Sequence, residues 1–176
     1  IVRRFHNFYG DLFVEPEAER ECDARFAETT ARVNGRLWTA HTIGVTHTGV
    51  ASGSANRNGV RWYELGTVTG TPTVVQSGTL FSSTGSGSFD QRNYFVPSIA
   101  ASSAGRAVIG YSAAGTSEYI NGGVVERFAS DAAGSVRAPQ LYTTSPAAYN
   151  PPGDAGSPTR GRRWGGVSST VVDGCD

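Results

Sequence analysis

Arg36-Leu-Trp-Thr-Ala-His-Thr-Ile-Gly-Val45 is the stretch that decides the fold class. It mixes aromatic, β-branched and small residues, the composition that suits a pleated, half-buried strand. The turn-forming segment Ala51-Ser-Gly-Ser-Ala-Asn-Arg-Asn-Gly59 follows. Val60-Arg-Trp-Tyr-Glu-Leu65 then alternates, with Val60 and Trp62 on one face. Thr71–Phe81 gives a third strand, with Pro72 at its beginning, where a missing N–H is tolerated.

The scheme then starts again. Tyr94–Ala101 reads as a strand that carries Pro97. Arg106-Ala-Val-Ile-Gly-Tyr-Ser112 is apolar enough to be buried on both faces. Gly123–Phe128 and Ser135–Tyr142 supply two more strands, and a Pro/Gly-rich loop covers Ser145–Pro158. Gly161-Arg-Arg-Trp-Gly-Gly-Val-Ser-Ser-Thr-Val-Val172 closes the series. Residues 1–32 differ. Glu15–Glu28 is charged and rich in helix formers, and it reads as a short helix or a polar edge strand ahead of the unit at 33–176.

Three segments look like one recurring element: Arg36-Leu-Trp38, Arg92-Asn-Tyr-Phe95 and Arg162-Arg-Trp164, each followed by small residues. They recur at intervals of roughly 60 residues, long for the ~40–50 residues of a propeller blade but compatible with extended loops. Small residues after each aromatic suit the first strand of a blade, nearest a crowded axis. A β-sandwich also has short strands at regular spacing. The repeat favours an all-β chain forming a partial β-propeller of four-stranded antiparallel blades: about two blades plus the start of a third.

The chain has 23 Gly in 176 residues, about twice the usual share, in keeping with many short strands and turns. Its 15 basic and 15 acidic residues cancel, which removes the electrostatic footprint that nucleic acid or an anionic membrane requires. No run reaches the ~20 apolar residues of a membrane helix. The absence of Met and the abrupt ends point to a fragment. Cys22 and Cys175, an even count, fit one disulfide in an oxidising compartment, with unrelated thiols as the alternative.

From Arg36–Val45 and Asn56–Glu64, through Val96–Ala100, Gln140–Thr144 and Tyr149–Asp154, to Gly161–Gly165 and Ser168–Asp173, the chain resembles secreted bacterial β-propeller proteins described as sialidase-like or BNR-repeat. The resemblance covers roughly residues 33–176 and implies a secreted or cell-surface propeller. Two departures stand out. Gly166-Val167 occupy the place where the group has Asp-Tyr, so a functional aspartate is missing there. The nearest approach to an Asp-box, Ser130-Asp-Ala-Ala-Gly134, sets its Gly one place late and lacks the Trp. An ordinary Asp-Gly turn explains it better.

All 15 basic residues are Arg. Without Lys there is no phosphate-binding Walker loop, no Ser-x-x-Lys nucleophile and no Schiff base. Neither a Gly-x-Ser-x-Gly elbow nor a Cys-x-x-Cys pair occurs. His41 and His47 on one strand would stand ~20 Å apart, too far for one ion. Glycoside hydrolysis needs two carboxyls, or a Tyr supported by a Glu, around one sugar ring. Tyr63-Glu64 and Tyr119-Glu118 are sequence neighbours that point to opposite faces of a strand, and Glu126 reads, like them, as part of a solvated face. Asp154 in its Pro/Gly loop lacks the regular spacing of acidic calcium ligands.

Six residues remain as ligand-binding candidates. Arg36, Arg92 and Arg162 sit at matching points of the three segments, where guanidinium forks converging on an axis would hold a carboxylate. The plainer reading is a repeated strand edge. Trp38 and Trp164 offer stacking surfaces, though propeller aromatics commonly pack between blades. His41 lies on the strand taken as axial. The function expected is a non-catalytic extracellular binding or scaffold module recognising carbohydrate or protein, with no metal or cofactor. The alternative is a sialidase-like glycoside hydrolase whose active-site residues lie partly outside the chain.

Overall fold

A computed structural model describes residues 5–7, 30–67, 69–84, 91–149, 164 and 168–172. Among these residues there is no helix, and ten strands form three antiparallel sheets. The first sheet takes β2 (Thr30–Val33), β3 (Arg36–Val45), β4 (Arg57–Gly66) and β5 (Thr73–Leu80) in chain order. The second takes β6 (Asn93–Ala101), β7 (Ala107–Gly115), β8 (Glu118–Arg127) and β9 (Gln140–Leu141), again in chain order. The third pairs β1 (Phe5–Asn7) with β10 (Ser168–Thr170). The described sheets do not close on themselves.

Local chemistry explains the turns. Asn34 and Gly35 both have positive φ, 50° and 73°, and join β2 to β3 as a two-residue hairpin turn. Thr116-Ser117 makes the other tight turn, with Gly115 paired to Glu118 across it.

The strand expected over Ser135–Tyr142 shrinks to Gln140–Leu141. Arg137 N–H still donates to the Glu126 carbonyl, so the segment runs beside β8. Pro139 then has no N–H to offer the ladder. Upstream, Asp131 accepts from Phe128 N–H (2.8 Å) and from Nε and Nη2 of Arg137, and so closes the turn that follows β8. The Asp-box-like stretch is thus built as a turn.

Two further expectations change. The strand at 36–45 is the second of its sheet, because the Asn34-Gly35 turn folds Thr30–Val33 back along it. The strand at 93–101 is the first of its own. The recurring Arg-aromatic segments therefore hold different ranks in their two sheets.

The sheets stack face to face. Trp38, Ala40, Val60, Trp62 and Leu80 from the first meet Tyr94, Ile99, Ile109, Tyr111, Ala113 and Val125 from the second in one buried cluster. Trp38 stacks on Trp62 at 5.9 Å, and Tyr94 meets Tyr111 edge-on at 5.2 Å. Burying a large apolar side chain stabilises a fold by roughly 1.5–3 kcal/mol, so this layer is the main source of cohesion. Arg127 ties its edge. It is 5% exposed, lies over the Trp62 ring, and donates to Gln76 Oε1 and to the Phe128 carbonyl.

The opposite face of the second sheet is also covered. Ser98 and Ser112 are buried there, bonded to Thr170 and to Trp164 Nε1. β6 therefore lies between the first sheet and β10. At its bulge Val96 has a φ of 49°, a strained value for a β-branched residue. Its N–H donates to Thr42 Oγ1 (3.1 Å), and its carbonyl accepts from Ser168 Oγ (2.8 Å).

Candidate functional site

The residues that run into β6 and the turn between β7 and β8 come together with the segment that leaves β5. Between them is an open cleft of about 390 Å³, lined by Phe81, Ser82, Ser83, Thr84, Gln91, Arg92, Tyr94, Gly115, Ser117 and Glu118. Only two of these side chains carry charge. Arg92 grips Glu118 in a two-point pair: Nε donates to Oε1, and Nη2 to Oε2 at 2.6 Å. The Glu118 carboxylate raises the Arg92 guanidinium above its ordinary range and keeps it charged. Burial pushes the Tyr94 phenol up, only partly offset by Arg92, so it stays protonated at neutral pH.

One wall of the cleft is fastened from below. Arg57, 3% exposed, donates from Nη1 to the carbonyls of Ser82 (2.5 Å) and Thr84 (2.8 Å), and from Nε to Asn56 Oδ1. The hydroxyls of Ser82 and Thr84 are 2.6 Å apart. Gln91, which also lines the cleft, keeps its Oε1 buried, with no hydrogen-bond donor among the described residues.

The six candidates from the sequence scatter. Arg92 is the one in the cleft. Arg36 lies 3.7 Å from Glu64 Oε1 on its own sheet, and Glu64 also accepts from Gln76 Nε2 at 2.6 Å. The two described arginines of the proposed carboxylate clamp are thus each engaged by a glutamate. Glu64 and Glu118 are correspondingly ion-paired groups and not merely part of a solvated face.

Trp38 is 4% exposed with its ring on Trp62, a core residue with no face left for a ligand. His41 is exposed and stacked on Tyr63 at 5.8 Å, on the face of the first sheet turned away from the second. Trp164 donates to Ser112 Oγ at 2.8 Å and meets Tyr149 edge-on, which makes it a packing element between β7 and the C-terminal segment. Arg162, Asp154, Cys22, Cys175 and Gly166-Val167 lie outside the described residues.

The chain matches no protein-family model, no curated protein and no solved structure.

Sequence reasoning missed Gln91, Tyr94 and the serine and threonine wall. The signal that joins Arg92 to Glu118 is the Gly115-Thr-Ser-Glu118 hairpin, which brings the start of β8 back beside the entry to β6. Among the described residues no three His, Cys, Asp or Glu side chains cluster as metal ligands. The groups the cleft presents are hydroxyls, an amide, a phenol and a self-neutralised ion pair. They hydrogen-bond well. Among the described residues the lining holds one carboxyl, Glu118, so the two-carboxyl arrangement of glycoside hydrolysis is not formed there, while Tyr94 and Glu118 stand in the same cleft.

Proposed function

We propose that the chain is part of an extracellular β-propeller that acts as a non-catalytic binding module, with its ligand seated in the cleft at Arg92. The carrying observation is the two-point Arg92–Glu118 pair. It engages the carboxyl that would otherwise serve as acid or base, and the guanidinium that would otherwise clamp a substrate carboxylate. Two successive four-stranded meanders stacked face to face, with β10 against the far side of the second, support the propeller reading. The raised phenol of Tyr94 argues against its use as a nucleophile.

The test is to present the full chain with fluorogenic sialosides and other glycosides, alongside direct binding measurements on a glycan and peptide panel. Binding without turnover supports the module. Turnover abolished by Arg92→Ala would establish a glycoside hydrolase instead.

A further inference from the structure

We infer that the outer face of the first sheet is a docking surface for a protein partner that presents carboxylates among apolar side chains. The face is turned away from the second sheet and shares no residue with the cleft, so the inference goes beyond the cleft reading.

Register fixes which residues make the face. Trp38 and Ala40 of β3 point into the core, so Leu37 and His41 point outward. Cross-strand partners share a face. Arg32 and Leu65 lie opposite Leu37, Arg61 lies opposite His41, and Val74 lies opposite Leu65. At one end the face is closed, with Val45 buried and Arg57 turned onto the Ser82 and Thr84 carbonyls. The remainder is open: Arg32, His41 and Val74 are exposed, and Leu37, Arg61 and Leu65 are half-buried.

The first argument is charge. The chain as a whole is neutral, but the first sheet is not. From Thr30 to Thr84 the one acidic residue is Glu64, against Arg32, Arg36, Arg57 and Arg61. Glu64 stands opposite Trp38, on the core side, where Arg36 and Gln76 engage it. Among the described residues Arg32 and Arg61 form no ion pair and no hydrogen bond. The Nε of Arg61 is buried, while its Nη1 and Nη2 reach the surface. A half-buried charge without a partner is unfavourable, and the two outer nitrogens of a guanidinium grip a carboxylate at two points.

The second argument is composition. Val74, at 62% exposure, is the most exposed large apolar side chain among the described residues, and Leu65 and Leu37 continue the patch across the ladder. Tyr63 stacks on His41 at 5.8 Å, beside Arg61. Tyr and Arg next to apolar residues make up the centre of a protein interface, where they carry much of the binding energy. A nucleic acid fits less well, because phosphate-driven binding draws on roughly 6–10 basic contacts and this face offers Arg32 and Arg61. An acidic polysaccharide would leave the apolar patch unused.

The experiment measures binding of the full chain to poly(Glu,Tyr), an acidic copolymer that carries an aromatic side chain, by fluorescence anisotropy. Heparin, oligo(dT) and poly-L-lysine are run in parallel. The copolymer should bind at least tenfold more tightly than heparin or oligo(dT), and poly-L-lysine should not bind. Arg61→Glu should weaken the copolymer at least tenfold, and Val74→Asp several-fold. Tyr119→Ser, at an exposed side chain on β8 of the second sheet, should leave binding unchanged. Melting temperatures check that each variant folds, and Arg61→Gln is the milder probe should Arg61→Glu fail to do so. It should weaken binding several-fold.

Equal or tighter binding of heparin or oligo(dT), lost in Arg61→Glu, assigns the face to a different class of polyanion and overturns the inference. Copolymer binding insensitive to both Arg61→Glu and Val74→Asp overturns it, as does failure of the copolymer to bind at submillimolar concentration. Sedimentation velocity of the chain alone is the last arm: self-association abolished by Arg61→Glu would give the face to a second copy instead.

Discussion

The hydroxyls of Ser98 and Thr170 share a hydrogen bond of 2.6 Å in a fully buried position, and it fastens β10 to the far face of β6. Neither hydroxyl reaches water, so removing one strands the other. Ser98→Ala should cost about 1–3 kcal/mol, the penalty for a buried polar group left unpaired. Combining it with Thr170→Val, which removes both hydroxyls, should cost less than the two single changes added together. Urea denaturation of the four members of that cycle measures the coupling, and strict additivity would deny it.

A second prediction concerns Gly78. A Cβ built there would lie 2.1 Å from the Gly134 carbonyl oxygen and 2.7 Å from Trp62 Nε1. The first obstacle is backbone and cannot swing aside. Gly78→Ala should therefore lower stability by about 1–3 kcal/mol, the usual cost of overpacking a filled core. Gly53→Ala, where nothing stands within 4 Å, serves as the control and should shift the melting temperature little. Equal melting temperatures for both variants would mean that the sheets are not packed as described.

Arg57 should prove to be a positioning residue for the cleft wall. Arg57→Ala removes the donors to the carbonyls of Ser82 and Thr84. Stability should fall by about 1.5–3 kcal/mol, the range for hydrogen bonds to a charged group. Hydrogen exchange should rise over residues 81–84. Lys restores the charge without the planar fork and should rescue only part of the loss. Unchanged exchange in that segment would remove Arg57 from the role.

Alkaline titration offers a fourth check. Burial pushes the phenols of Tyr94 and Tyr111 above their ordinary value. An unfolded tyrosine ionises near pH 10. Above that pH the folded chain holds protons that the unfolded chain has released, so stability is intact below about pH 10 and declines as the pH rises from there. Phenolate absorbance at 295 nm from these two side chains should appear together with loss of the near-ultraviolet circular dichroism signal. Their full ionisation at pH 10 with the fold intact would contradict their burial.

The strands that carry an unbroken pattern of alternation or apolar residues were legible in the sequence. β3 runs over Arg36–Val45 as its composition implies, and β4 through β8 fall where the apolar runs do, with β4 reaching back to Arg57 and β8 to Glu118. What escaped depends on partners that are distant in sequence. β2 has only Ala31 and Val33 as apolar residues, and it exists because Asn34-Gly35 turns the chain back onto β3.

Trp38 could stack on a sugar or pack in a core on sequence grounds alone. The choice is made by which face of the first sheet meets the second. Arg92 stood out locally. Its partner Glu118 could be read only with the register of the β7–β8 hairpin in hand. The Gln91 acceptor has no sequence signal, because an orphaned atom is a property of its surroundings.

The pairing of β1 with β10 bears on the order in which the molecule assembles. Each four-stranded meander joins neighbours in sequence, so its loops are cheap to close and both sheets can form while the chain is still emerging. Phe5 and Thr170, by contrast, meet across nearly the whole length of the chain. That contact must wait until β10 has been made, and until then β1 keeps an open edge. This pairing spans the greatest sequence separation among the described strands, so it is expected to form after both meanders, and a lesion at Ser168–Thr170 would leave two formed sheets with β1 lacking its partner.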